Sequence, residues 1–342
     1  MQIKRRRVVL ASSAALAGAT LGIPATGLAQ STELKISHQF PGGSPTEGDF
    51  RDRLVRRFAA EVEKQTRGAL KFTIYPGASL MKVNAQFAAL RRGALDLSLV
   101  PLSYAGGEVA ETNIGLMPGL VTSYEQAYGW KNAEVGKLMD QFLAEKGIVL
   151  VSWIWQAGGT ASRTTPIVMP EDAKGLKVRG GSREMDMILK EAGASVLTLP
   201  SNEIYAAMQT GAMDAAMTSS TSVISFRLEE VSKALTTGKR WNYWFMFEPL
   251  MISKAIFDKL PKDQQATMLR VGAEMEKFAL DSARADDNAV ADVYAKKGAK
   301  VVDLTEAAVK KWQAIARETA WKDYAAKSEM SAKLLAAAIK TL

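Results

Sequence analysis

The sequence predicts an α/β protein made of two lobes, each built on a mostly parallel sheet. Alternating strand patterns and helical patterns follow one another in the order β-α-β-α-β over residues 34–99, and similar elements return over residues 148–218. The two halves also share an echo, since residues 87–96 read FAALRRGALD and residues 205–214 read YAAMQTGAMD. A chain of 342 residues is too long for one small domain, because single cores stop growing near about 250–300 residues.

The first half of the chain contains three predicted strands and two predicted helices. Each strand alternates apolar and polar side chains, and each helix repeats apolar residues at helical spacing and ends at a glycine. In order they are a strand over Leu34–His38, a helix from Phe50 to Gly68, a strand over Leu70–Tyr75, a helix over Asn84–Arg92 and a strand over Leu95–Leu99.

The second half repeats these signals. Ile148–Trp155 is apolar on both faces, which is typical of a central strand. Ser182 is a candidate N-cap for a helix that Gly193 ends. Ser201 or Asn202 is a candidate N-cap for the following helix, which Gly211 ends. Further strands are predicted over Leu176–Arg179, Val196–Leu199, Met213–Thr218 and the aromatic stretch Trp241–Phe247.

The N-terminus has the layout of a signal peptide. A basic head, Lys4–Arg7, precedes an uncharged run over Val8–Ile23, and small residues at Gly27 and Ala29 suit cleavage after Ala29. Consecutive arginines also permit a twin-arginine route. The run is broken by Ser, Gly and Pro, which favours export over a membrane anchor. We therefore expect residues 1–29 to be removed and the protein to reach the periplasm.

Composition excludes several kinds of chemistry. The chain has no cysteine and one histidine, His38, so thiol nucleophiles, disulfides and His-rich metal sites are excluded. Apolar residues make up 47% and charged residues 23%, an ordinary globular balance. Loss of the signal peptide would halve the formal charge from +8 to +4, and the remaining charges are interspersed. We expect no cofactor, no metal and no nucleic-acid partner.

Four segments resemble the TRAP transporter solute-binding proteins of the DctP type. Residues 171–179, EDAKGLKVR, are similar to the family signature PEDLKGLKIR, and residues 202–214, NEIYAAMQTGAMD, are similar to GELYxALQTGxxD. Residues 58–66, FAAEVEKQT, and 260–265, LPKDQQ, match two further family segments. The four segments occur in the family's order and span most of the chain.

The resemblance implies a two-lobed periplasmic binding protein with hinge strands and long C-terminal helices. We expect one lobe over 31–153 plus about 241–260, a second lobe over 154–240, and helices over 261–342 that pack across both. Such a protein closes on a small organic acid and delivers it to the membrane permease subunits of an ion-coupled TRAP importer. We expect a monomer that is not itself embedded in the membrane.

The resemblance also implies a ligand-binding arginine at Arg179, the last residue of the signature. A guanidinium presents a planar fork that can bond both oxygens of a carboxylate. Many relatives carry a second arginine about 20 residues earlier, where this chain has Gly158–Gly159. Arg163 and Arg183 are nearby substitutes. One arginine predicts a ligand with one carboxylate.

Other candidate ligand contacts come from strand ends and aromatic clusters. Thr218 stands where relatives have Asn, and Ser219 begins a run of hydroxyls. His38 and Tyr104 follow predicted strands at an edge where ligands bind in α/β folds. Trp153, Trp155 and Trp244 are candidates for an aromatic wall, which favours an aromatic or hydroxy monocarboxylate. For each tryptophan, a core position is the alternative.

Three other functions stay open at this point. A ligand-binding sensor component would have the same residues as a transport protein. An exported hydrolase is less compatible, because G-x-S-x-G, P-loop and H-E-x-x-H motifs are absent from the sequence. An ABC-type binding protein would share the two lobes but not the four segments. We expect a binding protein and no enzyme.

Overall fold

Residues 31–342, the part of the chain described by this computed structural model, form thirteen strands and twelve α-helices. The strands are β1 (Thr32–His38), β2 (Leu70–Tyr75), β3 (Leu97–Leu99), β4 (Ile148–Ser152), β5 (Trp155–Gln156), β6 (Gly158–Ser162), β7 (Lys177–Arg179), β8 (Ser195–Val196), β9 (Ala215–Ser219), β10 (Ala234–Thr237), β11 (Met246–Phe247), β12 (Leu250–Ser253) and β13 (Lys300–Asp303). The predicted signal peptide lies outside the described residues.

The helices surround these strands. They are α1 (Phe50–Gln65), α2 (Val83–Arg91), α3 (Tyr124–Gly129), α4 (Glu134–Glu145), α5 (Arg183–Glu191), α6 (Ile204–Gln209), α7 (Ser220–Ser225), α8 (Lys254–Phe257), α9 (Lys262–Lys296), α10 (Glu306–Ala316), α11 (Lys322–Ala325) and α12 (Glu329–Ile339). Within residues 31–342, no helix combines the length and the apolar character needed to cross a membrane.

Two sheets, each with its own helices, make the fold two-lobed. The first has the order β2-β1-β3-β12-β4 and the second the order β13-β10-β6-β9-β7-β8. The predicted parallel pairing holds for β1 with its two neighbours and for β7 with its two neighbours. Antiparallel pairing occurs at β12 and β6, where the chain crosses between sheets. The predicted lobe boundaries at residues 153/154 and 240/241 fall within these crossings and stay predictions.

Local signals explain several of the elements. Apolar residues at helical spacing bury one face of α1, including Leu54, Phe58 and Val62. The predicted cap of α5 is present, because Ser182 Oγ accepts a hydrogen bond from the Met185 amide at 3.1 Å. The predicted cap at Ser201 or Asn202 is wrong. The chain first makes a 3₁₀ turn over Ser201–Glu203, so α6 begins at Ile204 without a side-chain cap.

The predicted strands over 148–155 and 241–247 are corrected, and the C-terminal region contains a strand that was not predicted. The predicted strand over 148–155 is two strands, because β4 ends at Ser152 and β5 pairs instead with β11 between the sheets. The aromatic stretch 241–247 is a strand only at Met246–Phe247, and it does not alternate: residues 243–247 are all buried, while Trp241 is 37% exposed. The C-terminal region contains a strand, β13, in addition to the predicted helices, since a four-residue K-V-V-D run carries little signal.

Candidate functional site

Arg179 is a buried cation at the end of β7. Its side chain is 2% exposed. Nε donates to the carbonyl oxygen of Leu199 at 3.1 Å, Nη1 donates to that of Met217 at 2.7 Å, and Nη2 donates to the hydroxyl of Tyr104 at 2.9 Å. Among residues 31–342, it forms no ion pair with a carboxylate. All three hydrogen-bond acceptors of the guanidinium are therefore neutral, and the carboxylate of Asp186 acts on it only from beyond hydrogen-bond distance.

Tyr104 joins Arg179 from the other lobe. It lies in the 3₁₀ turn Leu102–Ala105, shortly after β3 of the first sheet. Its hydroxyl oxygen accepts hydrogen bonds from Arg179 Nη2 and from the backbone amide of Ser201, both at 2.9 Å. A guanidinium and a backbone N–H thus converge on one oxygen, the arrangement that also suits an oxygen of a carboxylate.

A cleft of about 550 Å³ opens beside this pair. One wall contains Tyr104 and Asn113, which follow the first sheet, and the other contains Gly181, Thr198 and Pro200, which lie beside the second. Its volume is within the range of small-molecule sites, about 300–1,000 Å³. Tyr104 therefore lines a cleft between the lobes, and Arg179, which does not line it, is connected to it through its hydrogen bond to the Tyr104 hydroxyl.

Thr218 and Ser219 lie next to Arg179 in the second sheet. Both are buried in β9, directly after Met217, whose carbonyl oxygen accepts from Arg179. The Ser219 hydroxyl caps α7 by accepting from the amide of Ser222 at 3.1 Å. The predicted hydroxyl run is thus partly occupied with capping its own helix.

A second buried arginine, Arg51, was not predicted from the sequence. Its Nε and Nη2 donate to the two carboxylate oxygens of Asp49 at 2.9 and 2.6 Å, and its Nη1 lies 3.2 Å from Glu248 Oε2. Nη1 also donates to the hydroxyl of Ser222 at 3.0 Å, across from α1 to α7. Its Cζ lies 3.6 Å from the ring centre of Phe40. Arg51 therefore ties the two lobes together through a closed set of partners.

The carboxyl group of Glu248 remains only partly satisfied in this cluster. Burial raises the pKa of Glu248 to about 7, although Arg51 acts in the opposite direction. Gln156 Nε2 donates to Glu248 Oε2, while Glu248 Oε1 has no hydrogen-bond partner among the described residues. No sequence pattern linked Arg51 to a residue 197 positions away.

The predicted aromatic wall lies mainly in the core. Trp155 is fully buried, with its ring edge-on to Trp130 at 5.3 Å and tilted against Phe247 at 4.8 Å. Trp153 packs on the same Phe247 at 4.7 Å. Trp244 is also buried and lies over Gly158, where an added Cβ would come within 2.5 Å of its ring. The core alternative describes Trp153 and Trp155 in this structure.

Three other predicted contacts have partners elsewhere. His38 is fully buried; its Nδ1 accepts from the Phe40 amide at 3.2 Å and its Nε2 lies 3.1 Å from Asp52, so both ring nitrogens are occupied. Arg163 is 39% exposed and lies 3.8 Å from Asp214. Arg183 is 46% exposed and its Nη2 donates to Asp323 at 3.1 Å. His38 and Arg163 do not line the cleft, whereas Arg183 lines it but is paired with Asp323.

A family model and individual relatives assign this chain to the same protein family. The model of the family described as DctP, bacterial extracellular solute-binding protein, family 7, matches residues 41–328. A solute-binding protein of Albidiferax ferrireducens is 70% identical over 338 residues, covering 99% of this chain and 100% of the relative. The C4-dicarboxylate-binding periplasmic protein DctP of Rhodobacter capsulatus is 28% identical over 273 residues, covering 78% and 79% of the two chains.

Solved structures agree with these relatives. A TRAP periplasmic solute-binding protein from Rhodoferax ferrireducens with bound malonate is 74% identical, has a TM-score of 0.89, and covers 90% of this chain and 98% of that one. A Bordetella pertussis extracytoplasmic solute receptor binding pyroglutamic acid has the same fold at 24% identity, with a TM-score of 0.80 and coverage of 90% and 99%. The chain therefore belongs to the DctP family of TRAP periplasmic solute-binding proteins, family 7 of the bacterial extracellular solute-binding proteins.

Proposed function

We propose that this protein captures a small organic acid in the cleft at Tyr104 and Arg179 and delivers it to a TRAP permease. The observation that carries the proposal is the buried guanidinium of Arg179, which has no carboxylate partner among the described residues. Buried charges in proteins are usually paired. A ligand carboxylate would supply the missing anion.

The geometry leaves room on the guanidinium for that anion. A guanidinium has five N–H donors, and Arg179 uses three of them on Leu199, Met217 and Tyr104. The Tyr104 hydroxyl accepts two hydrogen bonds, and among the described residues its own O–H has no acceptor. Two N–H groups and one O–H are thus left for a ligand.

The ligand class we favour is a short hydroxy acid with one carboxylate. Arg51 is neutralised by Asp49, and Arg163 and Arg183 have partners elsewhere. At Gly159 an added Cβ would lie 2.2 Å from the carbonyl oxygen of Thr236, so a second arginine does not fit there. Aromatic acids have less support, because Trp153 and Trp155 pack in the core.

The malonate-bound relative supports a short ligand. That protein, 74% identical to this chain, holds an acid of three carbons and two carboxylates. In the present cleft a second carboxylate would meet Lys190 and Arg183, and Arg183 is already ion-paired with Asp323. We expect dicarboxylates to bind more weakly than hydroxy monocarboxylates of the same length.

The proposed mechanism is hinge closure. The two crossings at residues 153–157 and 238–249 connect the sheets. Closure around the acid would remove water from the Arg179 pair and strengthen it. The protein is proposed to work in the periplasm after loss of residues 1–29, as a monomer and without chemical turnover of the acid.

The test is calorimetric titration of the exported protein with malonate, malate, lactate, glycolate and benzoate. The variant R179Q removes the cation, and R163Q removes an exposed arginine of the second sheet as a control. We expect R179Q to lose roughly 30-fold or more in affinity, about 2–5 kcal/mol, and R163Q to bind as the wild type does. Equal affinity of R179Q and wild type for every binding acid would contradict the proposal.

A further inference from the structure

Three hydrogen bonds connect the walls of the cleft in addition to those of Tyr104. Ser103 Oγ donates to the carbonyl oxygen of Gly181 at 3.3 Å, and Ser182 Oγ donates to that of Leu116 at 3.1 Å. Asn113 Nδ2 donates to Glu184 Oε1 at 3.1 Å. The first two contacts involve neutral groups, whereas the third involves a titratable one.

Asn113 and Glu184 are both buried and both incompletely bonded. Each residue is 1% exposed. Glu184 Oε2 and Asn113 Oδ1 have no hydrogen-bond partner among the described residues. An ionised carboxylate only accepts hydrogen bonds, so it cannot satisfy the amide oxygen. A protonated carboxyl group has one O–H, and a single proton would serve both unpaired oxygens.

We propose that Glu184 and Asn113 form a proton-dependent latch that holds the cleft closed. In the protonated form, the Glu184 O–H donates to Asn113 Oδ1 while Asn113 Nδ2 donates to Glu184 Oε1, which closes a cyclic acid–amide pair between the lobes. This inference rests on the proposed function, since it concerns closure of the same cleft. It makes ligand affinity depend on pH.

The surroundings of Glu184 provide no strong counter-charge. Arg183 Nη1 lies 3.8 Å from Glu184 Oε1, but the same guanidinium is ion-paired with Asp323. The hydroxyl of Tyr324 donates to the carbonyl oxygen of Glu111 at 2.8 Å, and the Glu111 carboxylate accepts from Ser328 at 2.7 Å. Burial raises the pKa of Glu184 to about 7, and the backbone amide of Glu184, Arg183 and Asn113 only partly oppose this rise.

The direction of the pH effect follows from the two states. In an open cleft Glu184 would be solvated, with a pKa near its ordinary value of 4.5, whereas in the closed cleft the pKa is about 7. Closure therefore takes up a proton between these two values. Ligand affinity is therefore highest near pH 4.5. It falls by up to about tenfold per pH unit between pH 4.5 and pH 7, and it is constant above pH 7.

The test compares wild type with E184Q by titrating malonate from pH 5 to pH 8. Glutamine is neutral throughout and can both donate to and accept from the Asn113 amide, so it keeps the latch closed. Relative to E184Q, wild-type affinity should fall by up to about 40-fold from pH 5 to pH 7. The ratio of the two proteins cancels the titration of malonate itself, and a ratio that stays constant would overturn the proposal.

A control and a ligand-free measurement separate this inference from the proposed function. E171Q removes an exposed carboxylate, and its pH profile should match that of the wild type. If neither protein binds malonate, the proposed function fails for that acid, and X-ray scattering of the ligand-free proteins decides the latch. A wild type that is as compact as E184Q at pH 5 and more expanded than E184Q at pH 7 supports the latch, and equal dimensions of the two proteins at both pH values refute it.

Discussion

Arg51 and Arg179 are both buried arginines near the boundary between the lobes, yet their partners differ in kind. Arg51 contacts two carboxylates, those of Asp49 and Glu248. Arg179 contacts two backbone carbonyl oxygens and a phenol. The charge of Arg51 is therefore compensated by direct ion pairs, whereas Arg179 has no ion pair among the described residues and interacts with Asp186 only at longer range.

This difference in partners indicates a structural role for Arg51 and a ligand-binding role for Arg179. Removing a paired buried charge leaves its partners uncompensated, so the cost falls on stability. Removing an unpaired buried charge relieves a desolvation cost, so the cost falls on whatever anion the site receives. The two arginines should thus respond to mutation in opposite ways.

The largest expected effect is on stability, from R51M. This change leaves Asp49 and Glu248 buried without their cation and should cost about 3–5 kcal/mol in the free energy of unfolding. Urea unfolding followed by circular dichroism measures it. R57Q, which alters an exposed arginine of the same helix, is the control; a loss below about 1 kcal/mol in R51M would show that Arg51 is not the structural member of the pair.

R179Q should affect ligand affinity more than stability, the reverse of what is expected for R51M. Its free energy of unfolding should change by less than that of R51M, because relief of the desolvation cost of the buried charge offsets part of the about 1.5–3 kcal/mol that each lost hydrogen bond contributes. Its affinity for acids should fall by about 2–5 kcal/mol. Unfolding and calorimetry on one preparation give both values, and a stability loss equal to that of R51M would remove the distinction between the two arginines.

Y104F should have an intermediate effect. The substitution removes the acceptor for Arg179 Nη2 and for the Ser201 amide, and a hydrogen bond to a charged group contributes about 1.5–3 kcal/mol. We expect affinity for the preferred acid to fall by about tenfold or more, and the free energy of unfolding to fall by about 1.5–3 kcal/mol. Tighter binding in Y104F would mean instead that the phenol competes with the ligand for Arg179.

The smallest expected effect is that of R183Q. The side chain of Arg183 is 46% exposed and pairs with Asp323 at the surface, and such pairs are worth about 0–1 kcal/mol. Unfolding midpoint and ligand affinity should both stay near wild type. A large loss of affinity for a dicarboxylate alone would identify Arg183 as the missing second arginine.

Sequence reasoning found the parts of the fold that local patterns determine. The β-α-β order, the buried face of α1 and the Ser182 cap follow from periodicity and capping chemistry. The break at Trp153–Ile154 and the short β13 do not, because strand ends and four-residue strands depend on partners distant in sequence. A run of apolar residues predicts burial but not which sheet a strand joins.

The candidate site was predictable to a similar degree. Arg179 and Tyr104 follow strands, and strand ends meet at one edge of such a fold. Arg51 offered no signal, since its partners Ser222 and Glu248 are 171 and 197 positions away. Trp153 and Trp155 show what the sequence could not decide, because a pair of tryptophans is as compatible with a hydrophobic core as with a ligand-binding wall.

Helix α9 has a mechanical consequence for the proposed closure. It runs for 35 residues, a rod of about 52 Å at 1.5 Å per residue. At Gly272 its backbone lies so close to β4 that a Cβ would come within 2.0 Å of the carbonyl oxygen of Val151, while further along Asp286 accepts a hydrogen bond from Thr221 of α7 at 2.7 Å. The C-terminal part of the helix is packed in the second lobe, where Val290 and Tyr294 are buried beside Leu235. The rod is thus seated on both lobes, so we expect rotation of the second lobe to bend or tilt it. The outer surface of the protein would then report whether the interior is open or closed.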